Sequence, residues 1–228
     1  MIKKKKIIAL IGIGYWGEKH LKYLAQHKNI DIKYIFYKKK FPKKIANKYK
    51  KIEFTNNLSK IYNDKKVEYV NIVTPINTHL KLVTKFINKN KNVLVEKPLY
   101  FSEKIKKKLS LILKKNKKKL YVSYPYIYSR TFSMVREFIN KKKLGKLKFI
   151  EISMEQAGRF SNKFSIFDLL GVHALSITSL FINLKNVNLK NESLIKRENI
   201  TQNGISKIYE KKKLIGILKL SSNYFGKN

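Results

Sequence analysis

An apolar run, Ile7-Ile8-Ala9-Leu10-Ile11, leads straight into Gly12-Ile13-Gly14-Tyr15-Trp16-Gly17. A partly helical stripe of Trp16, Leu21, Leu24 and Ala25 follows. Strand, Gly-x-Gly-x-x-Gly and helix in that order are what binding of a dinucleotide pyrophosphate requires. Gly12 permits the tight turn out of the strand. Gly14 lets the backbone approach the phosphates, and Gly17 lets the helix pack close to the strand. The helix N-terminus, with Tyr15 and Trp16 in its first turn, offers N–H groups and partial positive charge to an anion. The same spacing also reads as a structural turn in another α/β fold. Glu96-Lys97-Pro98 ends a second apolar run, Val93-Leu94-Val95. Lys97 therefore falls just past a strand's carboxyl end, where the crevice of an open α/β sheet lies.

The elements that must position these residues alternate. Ile30 to Tyr37 reads as a second strand, and Pro42 opens a helix through Ile45, Ala46 and Tyr49. Ile52 to Thr55 reads as a third strand and Leu58 to Tyr62 as a short helix. Val67 to Val73 is a buried strand stopped by Thr74-Pro75. Leu80, Val83, Phe86 and Ile87 sit at helical spacing between Asn77 and Asn90, before the strand Asn92 to Val95. Ser102 is an N-cap for a longer helix with Glu103 in its first turn. This βαβ alternation predicts a doubly wound parallel sheet over residues 1–120.

The pattern changes after Leu120. Leu120 to Tyr124 is a strand candidate, Ser133 to Asn140 a helix, and Leu147 to Met154 an alternating strand after the Leu144-Gly145 turn. Asp168 to Ile182 is helix-like. Leu194 to Lys196, Ser206 to Tyr209 and Leu214 to Leu220 read as strands. Consecutive strands predict a separate α+β domain over residues 121–228, built on a largely antiparallel sheet.

Composition narrows the chemistry. Among 228 residues there is no cysteine, which excludes disulfides, Cys-ligated zinc and thiol catalysis. No metal site is expected, and the missing cysteine fits a reducing cytoplasm. Ile7 to Ile13 is too short, and too soon broken by glycine, for a signal or membrane-spanning segment. The formal charge is +38, yet only four of 52 basic residues are Arg (Arg130, Arg136, Arg159 and Arg197). Lysines punctuate every element rather than one face. Specific nucleic-acid binding is therefore not expected, although salt-sensitive attraction of polyanions is. Twenty positions beyond Gly17 stands Tyr37, followed by Lys38, Lys39 and Lys40. An NAD-preferring site has Asp or Glu here to bind the ribose hydroxyls. Its absence beside cations tilts the expectation from NAD toward NADP.

Three separated motifs together resemble one family. Gly12-Ile13-Gly14-Tyr15-Trp16-Gly17, Thr74-Pro75 with His79, and Glu96-Lys97-Pro98 are similar to those of the glucose–fructose oxidoreductase/inositol dehydrogenase/rhizopine-catabolism enzymes. Leu144-Gly145-Lys146-Leu147 resembles the turn that opens their second sheet, and Gly171-Val172-His173 the end of an Asp/Gly/His motif. The resemblance implies an NAD(P)-dependent oxidoreductase acting on a sugar, nucleotide-linked sugar or inositol. It implies that Lys97 polarises the substrate oxygen and shuttles a proton, with Glu96 orienting it. His173 would exchange the substrate hydroxyl proton, a task suited to imidazole. Thr74 and Pro75 would shape the cofactor crevice. His79 would position ligand near the nicotinamide, or serve as a hydrogen-bonding helix-start residue. Tyr124 and Tyr126 would line the substrate pocket, or pack at a domain junction.

Two departures from the family pattern stand out. The family's acid precedes the histidine by four residues; here Leu169 holds that place and Asp168 is five before. On an α-helix that is a change of phase of ~100°, so Asp168 reaches the site only if the preceding loop is shifted. Relatives also continue beyond the strand at Leu214 to Ser221. An incomplete second sheet with an open edge is therefore expected, inviting pairing with another subunit and a homo-oligomer through the C-terminal sheet. Two other classes stay open: a dinucleotide-binding protein without catalysis, and a basic nucleic-acid-binding protein.

Overall fold

Strand β1 (Lys6–Ile11) is buried on both faces, and its alternation shows why the sheet is covered on two sides. In the computed structural model, which describes residues 5–100, 102–142, 145–157 and 161–222, Ala9 and Ile11 enter one apolar cluster and Ile8 and Leu10 another. Around β1 the chain lays α1 (Tyr15–Gln26), β2 (Ile30–Phe36), α2 (Lys43–Lys48), β3 (Glu53–Thr55), α3 (Leu58–Asn63) and β4 (Tyr69–Ile72). Next come α4 (Ile76–Asn88), β5 (Asn92–Glu96), α5 (Glu103–Lys115) and β6 (Leu120–Ser123). The six strands are parallel, in the order β3-β2-β1-β4-β5-β6. That is the doubly wound dinucleotide-fold order, and its direction reverses between β1 and β4.

One cluster packs Ile11, Ile72, Val93 and Val95 against Val83, Phe86 and Ile87 of α4 and Leu109 of α5. The other packs Leu10 and Ile35 against Leu21 of α1, with Ile45 of α2 at its margin. Continuous apolar strands buried on both faces are what a parallel sheet demands. Ser102 caps α5 as expected, its hydroxyl accepting from the Ile105 N–H at 3.4 Å. No described helix is long and apolar enough to cross a membrane.

The chain divides into two units between Ser123 and Tyr124. This is three residues beyond the sequence boundary, because β6 pairs with β5 from Leu120 to Ser123 and so completes the first sheet.

The second unit opens with a 3-10 turn at Pro125–Tyr128 and α6 (Arg130–Asn140). Its four-stranded sheet runs β7 (Ile150–Glu155), β10 (Lys213–Ser221), β9 (Ile200–Glu210), β8 (Val187–Arg197). β7 and β10 are parallel, and the other two pairings are antiparallel. Of the Leu144-Gly145 turn, Leu144 lies outside the described residues; Gly145 has φ +72°. The hairpin strands β8 and β9 far exceed the sequence expectation. They meet at Glu198-Asn199, whose φ values of 49° and 61° are those of a two-residue hairpin turn. β8 is exposed along almost its whole length. Its sequence lacks an apolar face, and pairing with β9 defines it instead. A π turn, Phe167–Gly171, leads into α7 (Val172–Thr178), where the sequence predicts one helix running on to Ile182. Ile166, Ala174, Ile208, Leu218 and Leu220 form this unit's core.

Phe86 is fully buried at the centre of the larger cluster. Phe86→Ala is expected to destabilise the first unit by about 3–5 kcal/mol, measured as the shift of its urea unfolding midpoint.

Candidate active site

The three loop glycines fall into two groups by what a side chain would meet. At Gly12, φ is +103° and an added Cβ would lie 2.4 Å from the Val73 carbonyl oxygen. At Gly17 it would lie 2.4 Å from the Gly12 carbonyl oxygen. Both are required by the protein's own packing. At Gly14, by contrast, nothing lies within 4 Å. Gly14 is also the N-cap residue of α1, and its carbonyl accepts from the Glu18 N–H at 2.9 Å. An open, Cβ-free backbone at a helix N-terminus fits a pyrophosphate. Tyr15 and Trp16 flank it, exposed, with their rings edge to face at 5.4 Å.

The end of β2 carries Tyr37. Its N–H donates to the Thr55 carbonyl at 3.0 Å, and its ring leans on Phe41 at 5.3 Å. Lys38, Lys39 and Lys40 beyond it are exposed. A groove beside α1 and α2 is lined by Lys22, Lys40, Lys43, Lys44 and Lys48, with Glu18 and the apolar residues Leu21, Phe41, Pro42, Ile45 and Tyr49.

At the end of β4, the Thr74 and Thr78 hydroxyls are 2.6 Å apart, and Thr78 donates to the Pro75 carbonyl at 2.7 Å. His79 is almost fully buried. Its Nε2 lies 2.7 Å from the Thr74 carbonyl and its Nδ1 3.0 Å from the Pro98 carbonyl. Both ring nitrogens thus face backbone oxygens, and the imidazole ties the Thr74-Pro75 corner to the segment carrying Lys97. This geometry matches the hydrogen-bonding helix-start alternative for His79.

Glu96 ends β5, and three donors surround it. His20 Nε2 is 3.1 Å from Oε1, the Lys97 backbone N–H donates to Oε2 at 3.2 Å, and Ser123 adds a side-chain hydrogen bond. Burial pushes the Glu96 carboxyl up, but the hydrogen bonds from His20, Ser123 and Lys97 outweigh it and hold it below the usual range. Lys97 moves below the ordinary lysine range because burial disfavours its ammonium, with the Glu96 charge opposing. His20 had no role in the sequence reading, although its place three residues after Gly17, on the helix behind the loop, was the available signal. Asn71 was missed too: it sits inside an apolar strand pattern, and its Nδ2 lies 2.9 Å from His20 Nδ1.

In the second unit, Asp168 lies inside the π turn Phe167–Gly171, which runs directly into the helix that carries His173. The Asp168 carboxylate meanwhile accepts from the Ser165 N–H at 3.1 Å, while the Ser165 hydroxyl accepts from the Phe167 N–H at 3.0 Å. The Ser165 hydroxyl and the Asp168 carboxylate thus each cap a backbone N–H at the start of this turn. Tyr126 meets the His173 ring edge to face at 5.3 Å. Burial raises the Tyr124 hydroxyl above its usual range. Lys97, Glu96, Thr74 and the glycine loop thus gather on the first unit, whereas Asp168, His173, Tyr124 and Tyr126 belong to the second. Among the described residues, no group of three His, Asp or Glu could hold a metal.

Residues 6–124 match the oxidoreductase family with an NAD-binding Rossmann fold, the glucose–fructose oxidoreductase/inositol dehydrogenase/rhizopine-catabolism group. The chain belongs to this family. It is 29% identical over 210 residues to the uncharacterized oxidoreductase YhhX of Escherichia coli K12, covering 84% of this chain and 58% of that protein. The chain thus spans well under two thirds of that relative's length. The crystal structure of yhhX superposes with a TM-score of 0.83 at 24% identity, covering 98% of this chain and 67% of the other. GenD2 from gentamicin A biosynthesis, solved in complex with NAD, gives 0.88 at 19% identity, covering 100% and 68%. Apo scyllo-inositol dehydrogenase from Lactobacillus casei gives 0.82 at 16%, covering 98% and 70%. At these identities the solved structures establish the shared fold.

The contrast between glycines is testable. Gly17→Ala is expected to destabilise the first unit by about 1–3 kcal/mol, because its new methyl meets backbone. Gly14→Ala should stay within about 1 kcal/mol of the parent. Urea unfolding of both variants provides the comparison.

Proposed function

We propose that the chain is an NAD(P)-dependent oxidoreductase acting on a CH–OH group of a sugar, nucleotide-linked sugar or inositol. The observation that carries this reading is the open backbone at Gly14 beside the α1 N-terminus, with Lys97 at the end of a strand on the same sheet edge. Family membership and the scyllo-inositol dehydrogenase and GenD2 folds support the substrate class. A bound NAD(P) would supply the acceptor or donor of the hydride exchanged at the carbinol carbon.

The protein's own part is binding and proton handling. Gly12, Gly14 and Gly17, with Tyr15 and Trp16, hold the pyrophosphate. Thr74 and Pro75 form the crevice wall that His79 fixes in place. The Lys97 ammonium polarises the substrate oxygen, and its depressed proton affinity lowers the cost of giving that proton up. His173 takes or returns the hydroxyl proton. Asp168 orients His173, and Tyr124 and Tyr126 line the substrate side. Tyr37 in place of an acid, followed by Lys38 and the lysine-lined groove, supports NADP over NAD. The exposed edge strand β8 supports a homo-oligomer formed through the C-terminal sheet.

A second reading, dinucleotide binding without turnover, draws on the capping bond of Asp168 to Ser165, which uses the carboxylate locally. Turnover on a panel of polyols and nucleotide sugars separates the two. Lys97→Ala is expected to lower kcat by about 10²–10⁴-fold with dinucleotide affinity retained. Binding without turnover by the parent chain across the panel would favour the second reading. The pH profile gives an independent check. Protonated Lys97 is the active form, so activity falls as pH rises through its pKa, below the ordinary lysine range. Glu96→Gln removes the charge that raises Lys97 and is expected to move that limb to still lower pH.

A further inference from the structure

The sheet of the second unit ends on two strands of different chemistry. β7, at one end, is six residues long, and its charged residues are Glu151 and Glu155. β8, at the other, is eleven residues long, contains no proline and carries charges of both signs. Its register on β9 is regular over residues 187–193, then shifts between Ser193 and Ile195 and again between Ile195 and Lys196. Bulges of that kind blunt an edge. They leave residues 187–193 as a regular run with no strand beside its outer backbone groups among the described residues. Such an open edge is a template for another strand. Leu189, Leu194 and Ile195 stand exposed along it. On one face Lys190 and Glu192 lie opposite Lys207 and Ile205 of β9; on the other Leu189, Asn191 and Ser193 lie opposite Ile208, Ser206 and Gly204. Lys207 Nζ reaches Glu192 Oε1 at 2.6 Å. Lys190 instead lies over the Tyr209 ring, 5.3 Å from its centre, and makes no ion pair among the described residues.

We propose that β8 pairs antiparallel with β8 of a second copy, about a two-fold axis at Asn191. This rests on the homo-oligomer proposed for the C-terminal sheet and names its strand, direction and register. A two-fold axis perpendicular to the sheet keeps each face on its own side, so residues that oppose one another must share a face. The residue that meets its own copy then sets the register. An axis at Lys190 sets Lys190 against Lys190, and one at Glu192 sets Glu192 against Glu192. Like charges directly opposite are destabilising. An axis at Leu189 sets Lys190 against Asn188 and forms no charge pair. Within the regular run, only the axis at Asn191 sets Lys190 of each copy opposite Glu192 of the other. Each Glu192 then stands between its own Lys207 and the Lys190 of the second copy. β7 offers no opposite charge to a second β7. Pairing of β7 with β8 of another copy would be head-to-tail and would not close, whereas the β8 pair closes at two.

The absence of cysteine makes a single introduced thiol a clean reporter of register. Directly opposed residues hold their Cβ atoms about 4.5–5.5 Å apart, so Asn191→Cys sets two thiols across the axis. A short bismaleimide is expected to join them. In the same register the thiols of Asn188→Cys lie about 20 Å apart and should stay unlinked. Sedimentation velocity of the full chain reads association, at physiological salt to screen the repulsion between copies of formal charge +38. The parent chain is expected to form dimers. Lys190→Glu and Glu192→Lys are each expected to weaken dimerisation by about tenfold or more. Combining the two substitutions sets opposite charges face to face again and is expected to restore it. Dimers that survive both single charge variants, with Asn191→Cys unlinked, keep the homo-oligomer through another surface and overturn the edge pairing. A chain that stays monomeric at every concentration, with no cross-link, overturns both. Growth into filaments overturns the closed pair. Should a charge variant fail to fold, the thiols decide: linkage at position 191 without linkage at 188 supports the register, and any other pattern overturns it.

Discussion

Gly12 sits where three strand ends meet, and the architecture of the first unit depends on how tightly they meet there. Its N–H donates to the Phe36 carbonyl at the end of β2, at 3.1 Å. On the other side, the Val73 N–H donates to the Ile11 carbonyl at 2.8 Å, and the Val73 carbonyl occupies the space a Gly12 side chain would need. The Gly12 carbonyl in turn fills the space beside Gly17. This steric lock seats α1 against the sheet at the point where strand order reverses. It aims the helix N-terminus outward over the carboxyl ends of the strands. Because α1 is fixed there, His20 reaches Glu96, and because β4 is fixed there, Thr74 and His79 meet the segment after Lys97. The shape of the glycine loop and the placing of Lys97 are thus two consequences of one packing constraint.

Much of this was legible from residue order. Apolar runs of four to seven residues, alternating with helical stripes, gave the parallel sheet, since a strand buried on both faces must read as continuous Ile, Val and Leu. Gly12, Gly14 and Gly17 were readable because backbone geometry leaves few substitutes. Lys97 stood out among many lysines only through its position after a buried strand. His20 and Asn71 were not legible in the same way. Asn71 is a single polar residue within an apolar strand and His20 one more polar residue on a charged helix, and a side-chain pair separated by 51 positions leaves no periodic trace.

The second unit shows the opposite balance. Strands β8 and β9 owe their length to a two-residue turn and to each other's backbone, and Lys, Asn, Glu and Ser along β8 gave only fragments to a reading based on hydrophobic alternation. The π turn before His173 is a comparable case. The spacing of Asp168 gave no sign of a π turn, which depends on packing. Gly171 lies against Leu220 of β10, where an added Cβ would come within 3.1 Å, and Phe167 crowds Gly204 of β9. The turn rests on this sheet.

The central claim is that the loop from Gly12 to Gly17 binds a dinucleotide, and the chain carries its own reporter. Trp16, the single tryptophan, sits in the first turn of α1 beside Gly14. Titration of its fluorescence with NADPH and NADH, at physiological salt to screen attraction to the lysines, is the most direct measurement. Saturable quenching by the reduced dinucleotide, stronger for NADPH and abolished by Gly14→Val in a folded chain, is the result expected. Unquenched Trp16 at millimolar dinucleotide, or quenching that Gly14→Val leaves intact, would contradict the account.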